Sequence, residues 1–131
     1  MADRPGPVLI VEDDESLRVI VARHLRSLGY GVSEAPSVEG AVEALDGGLR
    51  PAVVILDLNL PGSTGWDLLR GPALGAAGSP PVVITSATTV SPKWLAEFGC
   101  AGYLPKPFPL DTLVATIERV THPEGPEDTD V

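Results

Sequence analysis

Short apolar runs, each stopped by a polar side chain, constrain this chain more than any other feature of its sequence. Val53-Val54-Ile55-Leu56 is apolar throughout and mostly β-branched, and it stops at Asp57. Val8-Leu9-Ile10-Val11 stops in the same way at Glu12 and Asp13, and Val82-Val83-Ile84 runs into Thr85 and Ser86. Runs without polar alternation fit strands covered on both faces, as in the middle of a parallel sheet. Open sheets of that kind take their ligands beyond the carboxyl ends of the strands. The polar residues that close these runs therefore stand where chemistry would occur. An Asp at a strand end is also a common turn former or helix cap, so Asp57 has to be judged by what the other strands bring beside it.

Helical spacing fills the intervals. Asp14 or Ser16 can cap a first helix with Leu17, Ile20, Val21, Leu25 and Leu28 on its apolar side and Gly29 as its stop. A short strand over residues 30–35 follows. Ser37 caps a second helix with Val38, Ala41, Val42 and Leu45 inward, ended by Asp46-Gly47-Gly48. Pro61-Gly62 turns the chain after the Asp57 strand, and Thr64 with Asp67 resembles a capping box for a short third helix that Gly71-Pro72 interrupts. Ser91-Pro92 opens a fourth helix running from Lys93 to about Phe98. Gly102-Tyr103-Leu104-Pro105 makes a minimal last strand, and Leu110, Leu113, Val114 and Ile117 line a final helix. Five strand–helix pairs with short connections imply an α/β, flavodoxin-like, doubly wound (βα)5 three-layer sandwich. Its parallel five-stranded sheet has the order 2-1-3-4-5.

The 131 residues suffice for one domain with its own core. The expected divisions are an N-terminal extension over residues 1–6, the domain over 7–121, and an acidic, disordered tail over 122–131. A net charge of −9 opposes direct contact with nucleic acid phosphates. No apolar run is long enough for a membrane span, and no signal peptide is visible, so a cytoplasmic location and no membrane insertion are expected. The single Cys100 fits a reducing compartment and reads as a small buried residue.

In the expected strand order one edge collects Glu12 and Asp13, Asp57 with Asn59 just beyond, Ser86, and Lys106. Three clustered carboxylates must take up protons or share a cation. Oxygen-only ligands suit Mg2+, and no His or second Cys is near enough to make a zinc site. A carboxylate, a hard cation, a hydroxyl and an ammonium together suit phosphoryl transfer, where the protein positions the group and compensates its charge. Asp57 would be the nucleophile, and Lys106 and Ser86 would take phosphoryl oxygens.

Four stretches carry a family resemblance: Val8-Leu9-Ile10-Val11-Glu12-Asp13, Leu56-Asp57-Leu58-Asn59-Leu60-Pro61-Gly62, Thr85-Ser86-Ala87, and Gly102-Tyr103-Leu104-Pro105-Lys106-Pro107-Phe108. In this order and spacing they resemble the receiver domain of two-component response regulators, over about residues 7–121, here as a stand-alone receiver. The resemblance implies Asp57 as phosphoacceptor and Asp13 and Asp57 as direct Mg2+ ligands, with Glu12 acting largely through water. It gives Asn59 a backbone carbonyl on the metal, Ser86 the switch hydroxyl, Lys106 the pocket lysine, and Tyr103 the aromatic that reports phosphorylation. It also implies a cis Lys106–Pro107 bond. Glu12 and Ser86 depart from the family's commoner Asp and Thr, and the third and fourth helices look short. These departures bear on the partner surface more than on the chemistry.

The function so implied is a phosphorylation-dependent signalling switch of a two-component system or phosphorelay. It accepts a phosphoryl group from a sensor histidine kinase or a histidine phosphotransfer protein and passes the signal to a downstream protein partner. It is not an enzyme in the ordinary sense but assists its own phosphorylation and dephosphorylation. The alternative is a receiver-like binding module that acts without phosphorylation. An aspartyl phosphatase would need an acid where Asn59 stands, and flavin binding would set a phosphate against Glu12-Asp13-Asp14-Glu15. Trp66 and Trp94 read as packing residues, Trp94 also as a partner anchor, and His24 as packing on the first helix.

Overall fold

The computed structural model describes residues 6–59, 65–71 and 79–122, apart from the side chain of Trp66. Five strands form one parallel sheet: β1 (Val8–Val11), β2 (Val32–Ala35), β3 (Val53–Asp57), β4 (Val82–Ser86) and β5 (Gly102–Pro105). Their order is β2-β1-β3-β4-β5, as the strand–helix alternation predicts. The described residues also hold five helices: α1 (Glu15–Ser27), α2 (Val38–Asp46), α3 (Gly65–Arg70), α4 (Pro92–Glu97) and α5 (Leu110–Thr121). The expected turn at Pro61-Gly62, the Thr64 cap, the stretch over 72–78 and the tail over 123–131 lie outside the described residues.

The period-two alternation of the strands sorts side chains into two cores, one on each face of the sheet. Leu9, Val11, Val54, Leu56, Val82 and Ile84 pack with residues of α2 and α3. Val8, Ile10, Val53, Ile55 and Val83, which alternate with them, and Leu104 of β5 pack with Val21, Ala22 and Leu25 of α1 and Leu113 and Ile117 of α5. The result is three layers. Burial on both faces explains why the central strands read as unbroken apolar runs.

Capping follows the sequence closely. The Asp14 carboxylate accepts from the Leu17 amide at 3.2 Å, Ser37 Oγ from the Gly40 amide at 3.0 Å, and Ser91 Oγ from the Lys93 amide at 3.1 Å. Gly29, at φ 96°, takes the left-handed conformation that lets the chain leave α1.

Two expectations for α1 are corrected. Ile20 and Leu28 are exposed rather than inward, at 51% and 41%. With 3.6 residues per turn, Ile20 lies roughly 150° from the centre of the face that Val21, Ala22 and Leu25 bury. Leu28 is the C-cap, beyond the last full turn over the sheet. Arg18 falls within roughly 15° of that centre and takes the place a hydrophobic residue would have had. Cys100 is half-buried rather than fully so, against the α2-side core. His24 is half-buried at the flank of α1.

Candidate functional site

Backbone register brings the candidate side chains to one edge. Val11 pairs with Leu56, so Glu12 and Asp57 are the next residues along two neighbouring strands. Asp57 in turn pairs with Thr85, and Ser86 with Pro105, which places Ser86 and Lys106 one step further on. Backbone hydrogen bonds extend the ladder past the strand ends: Glu12 N donates to Ala35 O at 3.0 Å, Leu58 N to Thr85 O at 3.1 Å, and Lys106 N to Ser86 O at 2.8 Å. The edge is therefore held by the sheet, not by free loops.

Asp57 is 2% exposed, and its two oxygens face different partners. Oδ1 accepts from the backbone amide of Asn59 at 3.0 Å, and Oδ2 lies 3.3 Å from Lys106 Nζ. Lys106 Nζ also meets Glu12 Oε1 at 2.8 Å, while Glu12 Oε2 accepts from the Asp14 amide at 3.1 Å. Asp13 projects to the exposed side of the same cluster. Carboxylate oxygens of Glu12, Asp13 and Asp57 all lie within 4.8 Å of one another. The Lys106–Pro107 bond is cis.

Burial is the main influence that pushes the Glu12 carboxyl above its ordinary value, against the hydrogen bonds from Lys106 and Asp14. For Lys106, burial opposes the charge, but the hydrogen bond to Glu12 and the charges of Glu12 and Asp57 outweigh it. The ammonium is held above its ordinary value. In this coupled pair the lysine stays cationic because two carboxylates face it. One ammonium nevertheless leaves three acids under-compensated. A hard divalent cation fits the remaining oxygen donors.

Ser86 belongs to a neighbouring polar group. Its hydroxyl donates to Asn59 Oδ1 at 2.9 Å, lies 3.0 Å from Thr88 Oγ1, and accepts from the Thr88 amide at 3.1 Å. Tyr103 is half-buried against the α2-side core, and its hydroxyl donates to the Thr88 carbonyl at 3.3 Å. Trp94 is 49% exposed and stacks on Phe98, with ring centroids 6.0 Å apart and planes at 13°. All seven residues singled out in the sequence thus lie along one edge. Ser86 and Tyr103 join through Thr88, and Lys106 joins the acids.

Three residues of this edge have no place in the sequence reasoning. Thr88 links Ser86 to Tyr103, and the hydroxyl-rich run Thr85-Ser86-Ala87-Thr88-Thr89 was a signal available for it. Arg18 donates from Nη1 to the Glu12 carbonyl at 2.9 Å and pairs through Nε with Glu34 at 3.2 Å, fixing the turn that carries the acids. Gly65 starts α3 so close to β3 that a Cβ there would lie 2.8 Å from the Asp57 carbonyl oxygen.

This fold, with clustered acids at the ends of its central strands opposite a lysine, defines a class. Residues 8–118 match the response regulator receiver domain. The chain belongs to that family. Among curated relatives, it is 34% identical over 130 residues to the response regulator MprA of Mycobacterium sp. (strain KMS), covering 94% of this chain and 55% of that one. It is 30% identical over 128 residues to the uncharacterized transcriptional regulatory protein YkoG of Bacillus subtilis (strain 168), covering 96% of this chain and 55% of that one. The chain thus spans about half the length of these relatives. Among solved structures, the Vibrio cholerae chemotaxis protein CheY4 superimposes with a TM-score of 0.79 at 30% identity, over 89% of this chain and 99% of that one. No described helix is long and apolar enough to cross a membrane.

Proposed function

We propose that this receiver domain is a phosphorylation-dependent switch whose phosphoacceptor is Asp57. The observation that carries the reading is the split environment of the Asp57 carboxylate. One oxygen is fixed by the Asn59 amide at 3.0 Å, and the other faces the Lys106 ammonium at 3.3 Å, with Glu12 and Asp13 within metal-sharing distance. A carboxylate held this way is oriented as a nucleophile and has charge compensation beside it.

In the step proposed, an Asp57 oxygen attacks the phosphorus of a phosphohistidine on a sensor kinase or phosphotransfer protein. The O–P bond forms as the P–N bond breaks, and its electron pair stays with the imidazole nitrogen. Lys106 meets a phosphoryl oxygen as a point charge, and the Ser86 hydroxyl offers a hydrogen bond to another. Glu12, Asp13 and Asp57, with the Asn59 carbonyl, would hold Mg2+, which supplies charge compensation to the transferred group. The domain assists its own phosphorylation and dephosphorylation and turns over no external substrate. It passes the signal to a protein partner through the face that carries Tyr103.

Incubation with acetyl phosphate and Mg2+ tests the reading, with labelled protein followed by phosphate-affinity electrophoresis. Wild type should label, and Asp57→Asn should not. Equal labelling of both would refute Asp57 as acceptor, and no labelling of wild type by any phosphodonor would leave a binding module.

A further inference from the structure

The Ser86 hydroxyl uses all of its hydrogen-bonding capacity in this structure. It is 1% exposed, so water does not supply spare partners. A hydroxyl has one proton and two lone pairs. The proton goes to Asn59 Oδ1 at 2.9 Å, an atom that can only accept. The lone pairs then receive the Thr88 amide at 3.1 Å and, the serine proton being committed, the Thr88 hydroxyl proton at 3.0 Å. Nothing is left to donate to a group on Asp57. Thr88 has a further engagement, because its carbonyl accepts the Tyr103 hydroxyl at 3.3 Å.

We infer that the Asn59 side chain is a restraint that holds the Ser86 hydroxyl in its resting position, and that Thr88 is the joint through which its release reaches Tyr103. The inference deepens the reading of Asp57 as phosphoacceptor and rests on it. For Ser86 to donate to a phosphoryl oxygen, its proton must leave Asn59 Oδ1. Moving the oxygen then disturbs both bonds from Thr88, and through its carbonyl the bond that positions Tyr103. The groove beside this group, about 560 Å3 and lined by Asn59, Thr88 and Trp94 among others, gives the segment room to shift. Asn59 and Thr88 are positioning residues here, because they act through Ser86 and Tyr103. The restraint biases a two-state equilibrium toward the unphosphorylated arrangement. Removing one net hydrogen bond should move that equilibrium about fivefold.

Fluorine NMR of protein carrying 3-fluorotyrosine tests the inference. The chain has two tyrosines, and buried Tyr30 serves as an internal reference. In phosphoryl-free protein, Asn59→Ala should move the Tyr103 resonance, and its beryllofluoride midpoint with Mg2+ should fall about fivefold. Both effects should vanish when Asn59→Ala is made in a Ser86→Ala background. A Tyr103 resonance unmoved by Asn59→Ala in the phosphoryl-free protein overturns the inference. So does a shift that persists without the Ser86 hydroxyl, since Asn59 would then act by some other route. Wild type that ignores beryllofluoride overturns the phosphoacceptor reading instead, and the phosphoryl-free resonance still decides the restraint.

Discussion

Lys106 pairs with Glu12 at 2.8 Å although two other strands separate theirs in the sheet. Neighbouring strands lie about 4.8 Å apart, so β1 and β5 are roughly 14 Å from each other. Lys106 closes that gap from beyond the end of β5, and its ammonium passes within 3.3 Å of Asp57 on the way. A single fixed cation is thus shared by two buried acids.

That sharing would set Lys106 in competition with a divalent cation held by the same acids. A unit charge about 4 Å away is worth about 1 kcal/mol in water and about 4 kcal/mol at an effective dielectric of 20. Taking the lower figure, Lys106→Met should tighten Mg2+ binding about fivefold, while phosphorylation of Asp57 falls. Calorimetric titration with Mg2+ reads the affinity directly. Unchanged or weaker binding would remove the ion from the pocket that Lys106 faces.

Asp13 differs from Glu12 and Asp57 in being exposed, so its replacement should cost little in folding by itself. The expected signature is a crossover. In EDTA, Asp13→Asn should be as stable as wild type or slightly more so, because one of three mutually repelling acids is gone. In Mg2+ at about 100 times its Kd, wild type gains about 2.7 kcal/mol, and Asp13→Asn should lose most of that increment. Urea unfolding in the two buffers checks it, and parallel curves for both proteins in both buffers would count against the ion site.

Gly65 allows α3 to begin against the end of β3. A Cβ at this position would meet the Asp57 carbonyl oxygen at 2.8 Å and Leu58 Cα at 3.0 Å, both backbone atoms that cannot swing aside. Gly65→Ala should therefore destabilise by about 1–3 kcal/mol, the range for inserting a methyl into a packed site. It should also displace the backbone of Asp57 and slow its phosphorylation. Gly71→Ala is the control: its Cβ meets nothing closer than the Asp67 carbonyl at 3.3 Å. Chemical denaturation and acetyl phosphate labelling of both variants give the comparison, and equal behaviour would show that the close approach at Gly65 does not matter.

How much of this was legible in the sequence depended on which forces act over short range. Strand positions came from apolar runs and helix starts from Asp14, Ser37 and Ser91, because patterning and capping are local. The strand order followed from connection rules, and with it the meeting of Glu12, Asp13, Asp57 and Lys106. Arg18 was not legible. Helical spacing treats a charged residue as outward, whereas its stem lies over the sheet and its guanidinium reaches the Glu12 carbonyl and Glu34. Nor was the bond between Ser86 and Asn59, since residues 27 apart in sequence meet only because β3 and β4 pair, and pairing rules do not say which side chain just beyond β3 reaches the last residue of β4. Ile20 failed for the opposite reason: an apolar residue at acceptable spacing can still lie on the flank of its helix.

Cys100 offers a test of burial at the far end of the sheet from the acids. Desolvation raises its thiol above the ordinary value of 9.0. The neutral form is thus favoured in the folded protein, and the unfolded chain loses this proton first as pH rises. The thiol's contribution to stability is fully present below pH 9.0 and is lost as pH climbs through the folded value. Wild type minus Cys100→Ala isolates the effect from lysine and tyrosine titration. That difference should be flat between pH 7 and 8.5 and then fall, with wild type losing ground to the variant. Alkylation by iodoacetamide should show the same upward displacement, running slower in native protein than in urea at pH 8.5. A native thiol that reacts as fast as the unfolded one would mean that solvent reaches Cys100 freely, and the fall in stability above pH 9.0 should then be missing as well.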